Sequence, residues 1–174
     1  YSWLGQAYAS NNEHKKAIDA FEESIKVLKR MKPYYLDNFD YLISGLFANI
    51  YYSFKYLNEY EKAYSYIKES YFSFPARRQY DLIESSIFNN DLEFSISESQ
   101  NVYENNQDKS FLILQSIALL KNGKIEQANK LFLKTINNLE SAYELHKNSR
   151  MKRTLQYCAQ FFILQKKFKE SIKY

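Results

Sequence analysis

Small residues recur along this chain at intervals that only a stack of helical hairpins satisfies. Ala17, Ala63, Ser95, Ala128 and Ser171 are separated by 46, 32, 33 and 43 residues. Each opens a short apolar run, and apolar residues close the run before it: Leu4, Gly5 and Tyr8 precede Ala17, Phe21 and Ser24, while Ile50, Tyr51 and Phe54 precede Ala63, Ile67 and Ser70. A period of this size made of two helices predicts a repeat array, not a compact enzyme domain.

The helical period supports this independently. Ala128, Leu131, Phe132, Thr135, Ile136, Leu139, Ala142 and Tyr143 fall on one continuous stripe of a 3.6-residue helix, and Ala17, Ile18, Phe21, Ile25 and Leu28 make a comparable stripe earlier. Small residues at helix crossings let the axes approach to roughly 8–10 Å. Turn signals fall between the stripes, at Asn11-Asn12, Asn58, Asn89-Asn90 and Asn122-Gly123. Asn and Gly accept the left-handed conformation, and Asn58 followed by Glu61 reads as a capping-box-like start. Pro33 and Pro75 follow long helices, and with only 3 Gly and 2 Pro little else punctuates the chain. The expected fold is all-α.

These features resemble the tetratricopeptide repeat, whose unit is about 34 residues with a W-LG-Y…A-F…P pattern. The first unit matches at Leu4-Gly5, Tyr8, Ala17 and Phe21; the second at Tyr60, Ala63 and Pro75; the fourth at Gly123, Ile125, Ala128 and Phe132; the fifth at Ala159, Phe162 and Phe168. The third, around Leu82, Ile83 and Ser95, is placed by spacing, and Trp3 stands two positions from the family's tryptophan. The resemblance implies a right-handed superhelical solenoid of about five hairpins in one domain over 1–174, with repeats near 1–33, 37–75, 76–106, 109–146 and 150–174. Two long intervals imply longer helices near 25–45 and 140–155. Neither end carries a polar cap, so the chain is expected to be a fragment of a longer protein.

Composition narrows the function. The longest apolar stretch, Leu42–Phe54, is broken by Ser44, Gly45 and Asn49, far from the roughly 20 residues that span a bilayer, and no membrane association is expected. A lone Cys158 excludes an internal disulfide framework and points to a reducing, cytoplasmic setting; its place beside Ala159 suggests a buried thiol. His14 and His146 are far apart in polar contexts and are expected at the surface, with no metal-ligand spacing around them and no Gly-rich phosphate loop. No catalytic residue, metal or cofactor is implied. The expectation is that this is not an enzyme.

Charge is segregated. Between Gln79 and Asp108 lie seven acidic residues, including Asp81 and Glu84, and no Lys or Arg; from Lys147 to Tyr174 eight basic residues face Glu170 alone. Charge runs on helices are ordinarily solvated faces, though they also steer partners. The acidic segment and the lack of an aromatic platform near Lys147, Arg150, Lys152 and Arg153 argue against direct nucleic-acid binding.

The resemblance also implies a ligand surface on the first helix of each hairpin. Carried over by position, a peptide or protein segment in the concave groove would meet Gln6, Asn49, Tyr52, Lys55, Tyr56, Arg77, Tyr80, Glu84, Phe88, Ile117, Gln156 and Gln160, with Ala48 and Ile113 beside them. Tyr52 and Tyr56 lie one turn apart with Asn49 a turn before. Phenols give contact area with few rotors, and an amide bonds both peptide N–H and C=O. The carboxylate clamp of one subfamily is not matched: Asn49 fits, but Ser2, Gln6 and Asp81 stand where Lys, Asn and Arg would be needed. Two functions follow from the resemblance: a protein–protein interaction scaffold, or the ligand-sensing domain of a peptide-responsive transcriptional regulator of the Gram-positive bacterial type. Self-association is left open.

Overall fold

A computed structural model gives the structure of residues 1–32, 38–75, 78–136 and 149–167, with the backbone alone for 149–152. The described residues contain helices and no strand. The chain divides into two compact units, Tyr1–Asn89 and Asn90–Tyr174. Unit one holds α1 (Ser2–Ser10), α2 (His14–Arg30), α3 (Phe39–Tyr56), α4 (Tyr60–Ser73) and α5 (Gln79–Phe88). Unit two holds α6 (Leu92–Asn106), α7 (Ser110–Lys121), α8 (Ile125–Ile136) and α9 (Ser149–Leu164). Within unit one each helix packs on the next, and α1 also meets α3; within unit two, α7 packs against α6, α8 and α9.

One turn recurs. Asn12, Asn58, Asn90, Gly123 and Lys166 each have φ between 58° and 76°. The residue after the turn donates its N–H to a carbonyl five residues back in four cases: Glu13 to Tyr8, Glu59 to Phe54, Lys124 to Leu119 and Lys167 to Phe162, at 2.9–3.0 Å. This is the Schellman closure, which satisfies carbonyls the helix end would otherwise orphan. Asn tolerates the left-handed conformation because its short polar side chain bonds locally, and Gly because it has no Cβ. Asn58 is therefore the turn residue and not a capping-box start: Glu59 precedes the helix, and no side chain caps it.

Five residues beyond each left-handed position stands the small residue of the sequence pattern. Ala17, Ala63, Ser95 and Ala128 donate their N–H to Glu13, Glu59, Asp91 and Lys124, closing the first turn of the second helix. All four are at most 2% exposed. Ser171 lies outside the described residues. Glu13, Glu59 and Asp91 place a carboxylate at a helix N-terminus, where the helix dipole favours it.

Large side chains fill the space beside these crossings. Phe21 on α2 is 1% exposed, and a Cβ on Gly5 of α1 would stand 2.5 Å from its ring, so α1 approaches α2 only because residue 5 has no side chain. Between α3 and α4, Phe47 and Phe54 pack on Tyr66 with ring centroids 6.1 and 5.5 Å apart. There the small pair is Ser44 and Ser70, whose hydroxyls are 3.1 Å apart. In unit two, Phe132 of α8 stacks on Phe161 of α9 at 3.9 Å.

The expected stripe on α8 holds where it is described: Ala128, Phe132, Thr135 and Ile136 are buried and Leu131 half-buried, with Leu139, Ala142 and Tyr143 outside the described residues. The extra length expected near 25–45 falls in α2 and α3, 17 and 18 residues, the longest of the described helices. Most of 140–155 lies outside the described residues. Among the described residues no helix is long and apolar enough to cross a membrane.

The two helical glycines of unit one predict opposite effects. Gly5→Ala drives a methyl into Phe21 and should cost about 1–3 kcal/mol. Gly45→Ala meets nothing within 4 Å and should add about 0.5–1 kcal/mol through helix propensity. Urea titration of both variants reads the signs directly; equal signs would mean that α1 does not approach α2 as described. Ala128→Arg should cost about 3 kcal/mol or more, because a close crossing has room for neither its volume nor its charge; an unchanged melting temperature would remove α8 from that crossing.

Candidate functional site

α3 carries two apolar or polar stripes with different fates. Ile43, Phe47, Ile50 and Phe54 are buried against neighbouring helices. On another face, Tyr41, Gly45, Asn49, Tyr52 and Tyr56 follow one another at helical spacing and border two cavities in unit one. The first, about 340 Å³, is lined by Ser2 and Gln6 of α1, Leu28 of α2, and Tyr41, Leu42, Gly45, Leu46 and Asn49 of α3. The second, about 440 Å³, is lined by Gln6, Ala9, Ser10 and Asn12, by His14 and Phe21 of α2, and by Asn49, Tyr52, Ser53 and Tyr56 of α3.

Gln6 and Asn49 border both cavities. Among the described residues neither side-chain amide has a hydrogen-bond partner. An amide carries an acceptor oxygen and two donor hydrogens, so the pair presents the complement of a peptide group from two sides. Tyr56 is 71% exposed and stacks on His14, with ring centroids 4.7 Å apart and planes 6° from parallel. Its apolar area is thus held in one orientation over the second cavity, at little further entropic cost on binding.

A polar network anchors α3 to α5 beside the second cavity. The Tyr52 hydroxyl donates to Asp81 Oδ2 at 3.0 Å. Lys55 Nζ lies 3.5 Å from Glu84 Oε2 and 3.5 Å from the Tyr51 hydroxyl, which also accepts from Ser85 Oγ at 3.2 Å. Asp81 is only 5% exposed. A buried carboxylate is stable only with such donors. Burial, then the negative charge and hydrogen bond of Asp81, push the Tyr52 phenol up to about 12. Tyr66 is pushed up to about 12 as well, first by burial and then by its 2.6 Å hydrogen bond to Glu22.

Of the residues assigned to the groove from sequence, Gln6, Asn49, Tyr52 and Tyr56 come together at one cavity. Lys55, Tyr80 and Glu84 are half-buried on α3 and α5, with Lys55 and Glu84 engaged with each other. Phe88 is half-exposed at the end of α5 and stacks on Tyr60 of α4 at 6.2 Å, not in the cavity. Ile117 and Ile113 are corrections. Both are fully buried, because α7 is covered by α6, α8 and α9 and is apolar nearly all round. Ala48 is fully buried too. Gln156 is exposed and Gln160 half-buried on α9. Arg77 lies outside the described residues.

The histidine and charge expectations also change. His14 is half-buried and stacked, not a solvated surface residue, and its Nδ1 is buried without a hydrogen-bond partner among the described residues. His146 lies outside them. Asp81 belongs to the interior and not to a solvated acidic face. Cys158 is buried. Among the described residues no group of three His, Cys, Asp or Glu is placed to hold a metal. Sequence reasoning passed over Tyr41, Leu42 and Gly45. The available signal was that they continue the Asn49, Tyr52, Tyr56 stripe one and two turns earlier.

No protein-family model matches the chain, and no curated protein matches it in sequence. Solved structures do. A putative kinesin light chain of Podosopora anserina with nearly identical TPR-like repeats aligns over 99% of this chain and 88% of its own, with a TM-score of 0.64 at 11% identity. MamA of AMB-1 aligns over 99% and 85%, with a TM-score of 0.55 at 14% identity. MamA of Desulfovibrio magneticus RS-1 aligns over 98% and 90%, with a TM-score of 0.51 at 11% identity.

The raised phenols give a pH prediction. A group whose folded-state value exceeds its ordinary value of 10 stabilises the fold below pH 10 and loses that contribution as pH rises towards 12. Urea midpoints should therefore fall between pH 10 and about 12, and less steeply in the double variant Tyr52→Phe, Tyr66→Phe. An unaltered slope would mean that neither hydroxyl is buried beside its carboxylate. With its all-α architecture, this chain has a TPR-like repeat fold.

Proposed function

We propose that this chain is a protein- or peptide-binding scaffold module that holds an extended segment along the shared face of α1 and α3. The observation that carries the reading is the convergence of Gln6, Asn49, Tyr52 and Tyr56 on one cavity of about 440 Å³. Amides without a protein partner among the described residues, and a held aromatic ring, suit the backbone and side chains of an extended peptide. Fold likeness to TPR-like repeats adds the architecture in which such a face is presented. No catalytic role is proposed for any residue. The transcriptional-regulator reading draws on no feature of unit one or unit two, so the scaffold is the reading we put forward.

Tyr52 and Tyr56 do not test this equally. Tyr52→Ala would strip a donor from buried Asp81 and cost about 1–3 kcal/mol of stability, so it confounds binding with folding. Tyr56 touches His14 and solvent. Tyr56→Ala should leave the helical circular dichroism and melting temperature nearly unchanged. It should weaken peptides that emerge from a display selection on the wild-type chain by about tenfold, equivalent to about 1.4 kcal/mol. Equal affinity for wild type and variant would place binding elsewhere than on this face.

A further inference from the structure

The two cavities on α3 differ in chemistry, and their separation is fixed by one helix. The first is lined by Leu28, Tyr41, Leu42 and Leu46, with Gly45 leaving the backbone bare beside them. The second is lined by amide, hydroxyl, phenol and imidazole groups of Asn12, Ser53, Tyr52, Tyr56 and His14, together with Ala9 and Phe21. Gln6 and Asn49 line both. From Gly45 to Ser53 α3 advances about 12 Å, at about 1.5 Å per residue. An extended chain covers that in four residues at about 3.3 Å each, and residues i and i+4 project to the same side.

Among the described residues no Lys, Arg, Asp or Glu lines either cavity. Beside the second cavity Lys55 is engaged with Glu84 and Asp81 with the Tyr52 hydroxyl, and the Arg78 charge acts on the Tyr52 phenol from outside the lining. A charged side chain seated in either cavity would meet no counter-ion in that lining. Resting on the peptide-binding reading above, we infer that the ligand is an extended peptide with an aliphatic or aromatic residue in the first cavity and an uncharged polar or aromatic residue four positions away in the second, its intervening backbone bonded by Gln6 and Asn49. Charge is excluded at both seated positions and tolerated between them.

Selection of phage-displayed random dodecapeptides on the immobilised chain tests this. Enriched sequences should share an apolar residue and an uncharged polar or aromatic residue at i and i+4. Synthetic copies should lose about tenfold or more in affinity against Gly45→Phe, which fills the first cavity from a position where a new Cβ meets nothing. Should Gly45→Phe melt lower than wild type, Leu42→Asn, at a partly exposed position, is expected to give the same loss. Peptides with another spacing, with charges at the seated positions, or with affinity indifferent to both variants overturn the two-cavity assignment. They do so while leaving peptide binding through Tyr56 in place. Failure to enrich any peptide removes the proposed function and this inference together.

Discussion

Everything in this molecule depends on how near two helix backbones come at Ala17, Ala63 and Ala128. These side chains are small enough for the facing helix to close over them, and each is at most 2% exposed. The approach is set up five residues earlier by a left-handed residue, which reverses the chain in the fewest steps and brings the second helix back along the first. Turn and crossing are thus one device. A larger side chain at the crossing, or a β-branched one at the turn, would disturb both together.

The same device creates the face on which we place binding. Each second helix occupies one side of the first helices beside it, so α3 buries Ile43, Phe47, Ile50 and Phe54 there. What is left over on α1 and α3 is a stripe that borders the two cavities, at Gly45, Asn49, Tyr52 and Tyr56. A scaffold that presents free amides and oriented rings has little ordering left to do when a peptide arrives. Rigidity of the stripe comes from the second tier: Tyr52 bonded to Asp81, and Tyr56 stacked on His14.

The hairpin order was legible because it is written in local chemistry. Asn58 and Gly123 mark turns wherever they stand, and Ala128 with Phe132 marks a crossing by helical spacing alone. The groove was only half legible. Asn49, Tyr52 and Tyr56 lie on one helix, so their shared face follows from periodicity. Ile117 was misplaced because α7 is apolar on every side, and periodicity cannot tell which of its neighbours covers which face. Asp81 read as a surface charge because its donor, Tyr52, is 29 residues away. His14 read as polar surface for the same reason, since its stacking partner stands 42 residues later on α3.

Thiol labelling in native buffer measures the central claim most directly. Cys158 is buried and serves as the internal reference. The chain carrying Ala63→Cys should react at that crossing as slowly as at Cys158, through transient opening alone. The chain carrying Tyr56→Cys should react at residue 56 at nearly the rate of the unfolded protein. Fast labelling at residue 63, or rates that do not separate the two sites, would contradict an architecture in which small residues bury one side of each first helix and leave the other open.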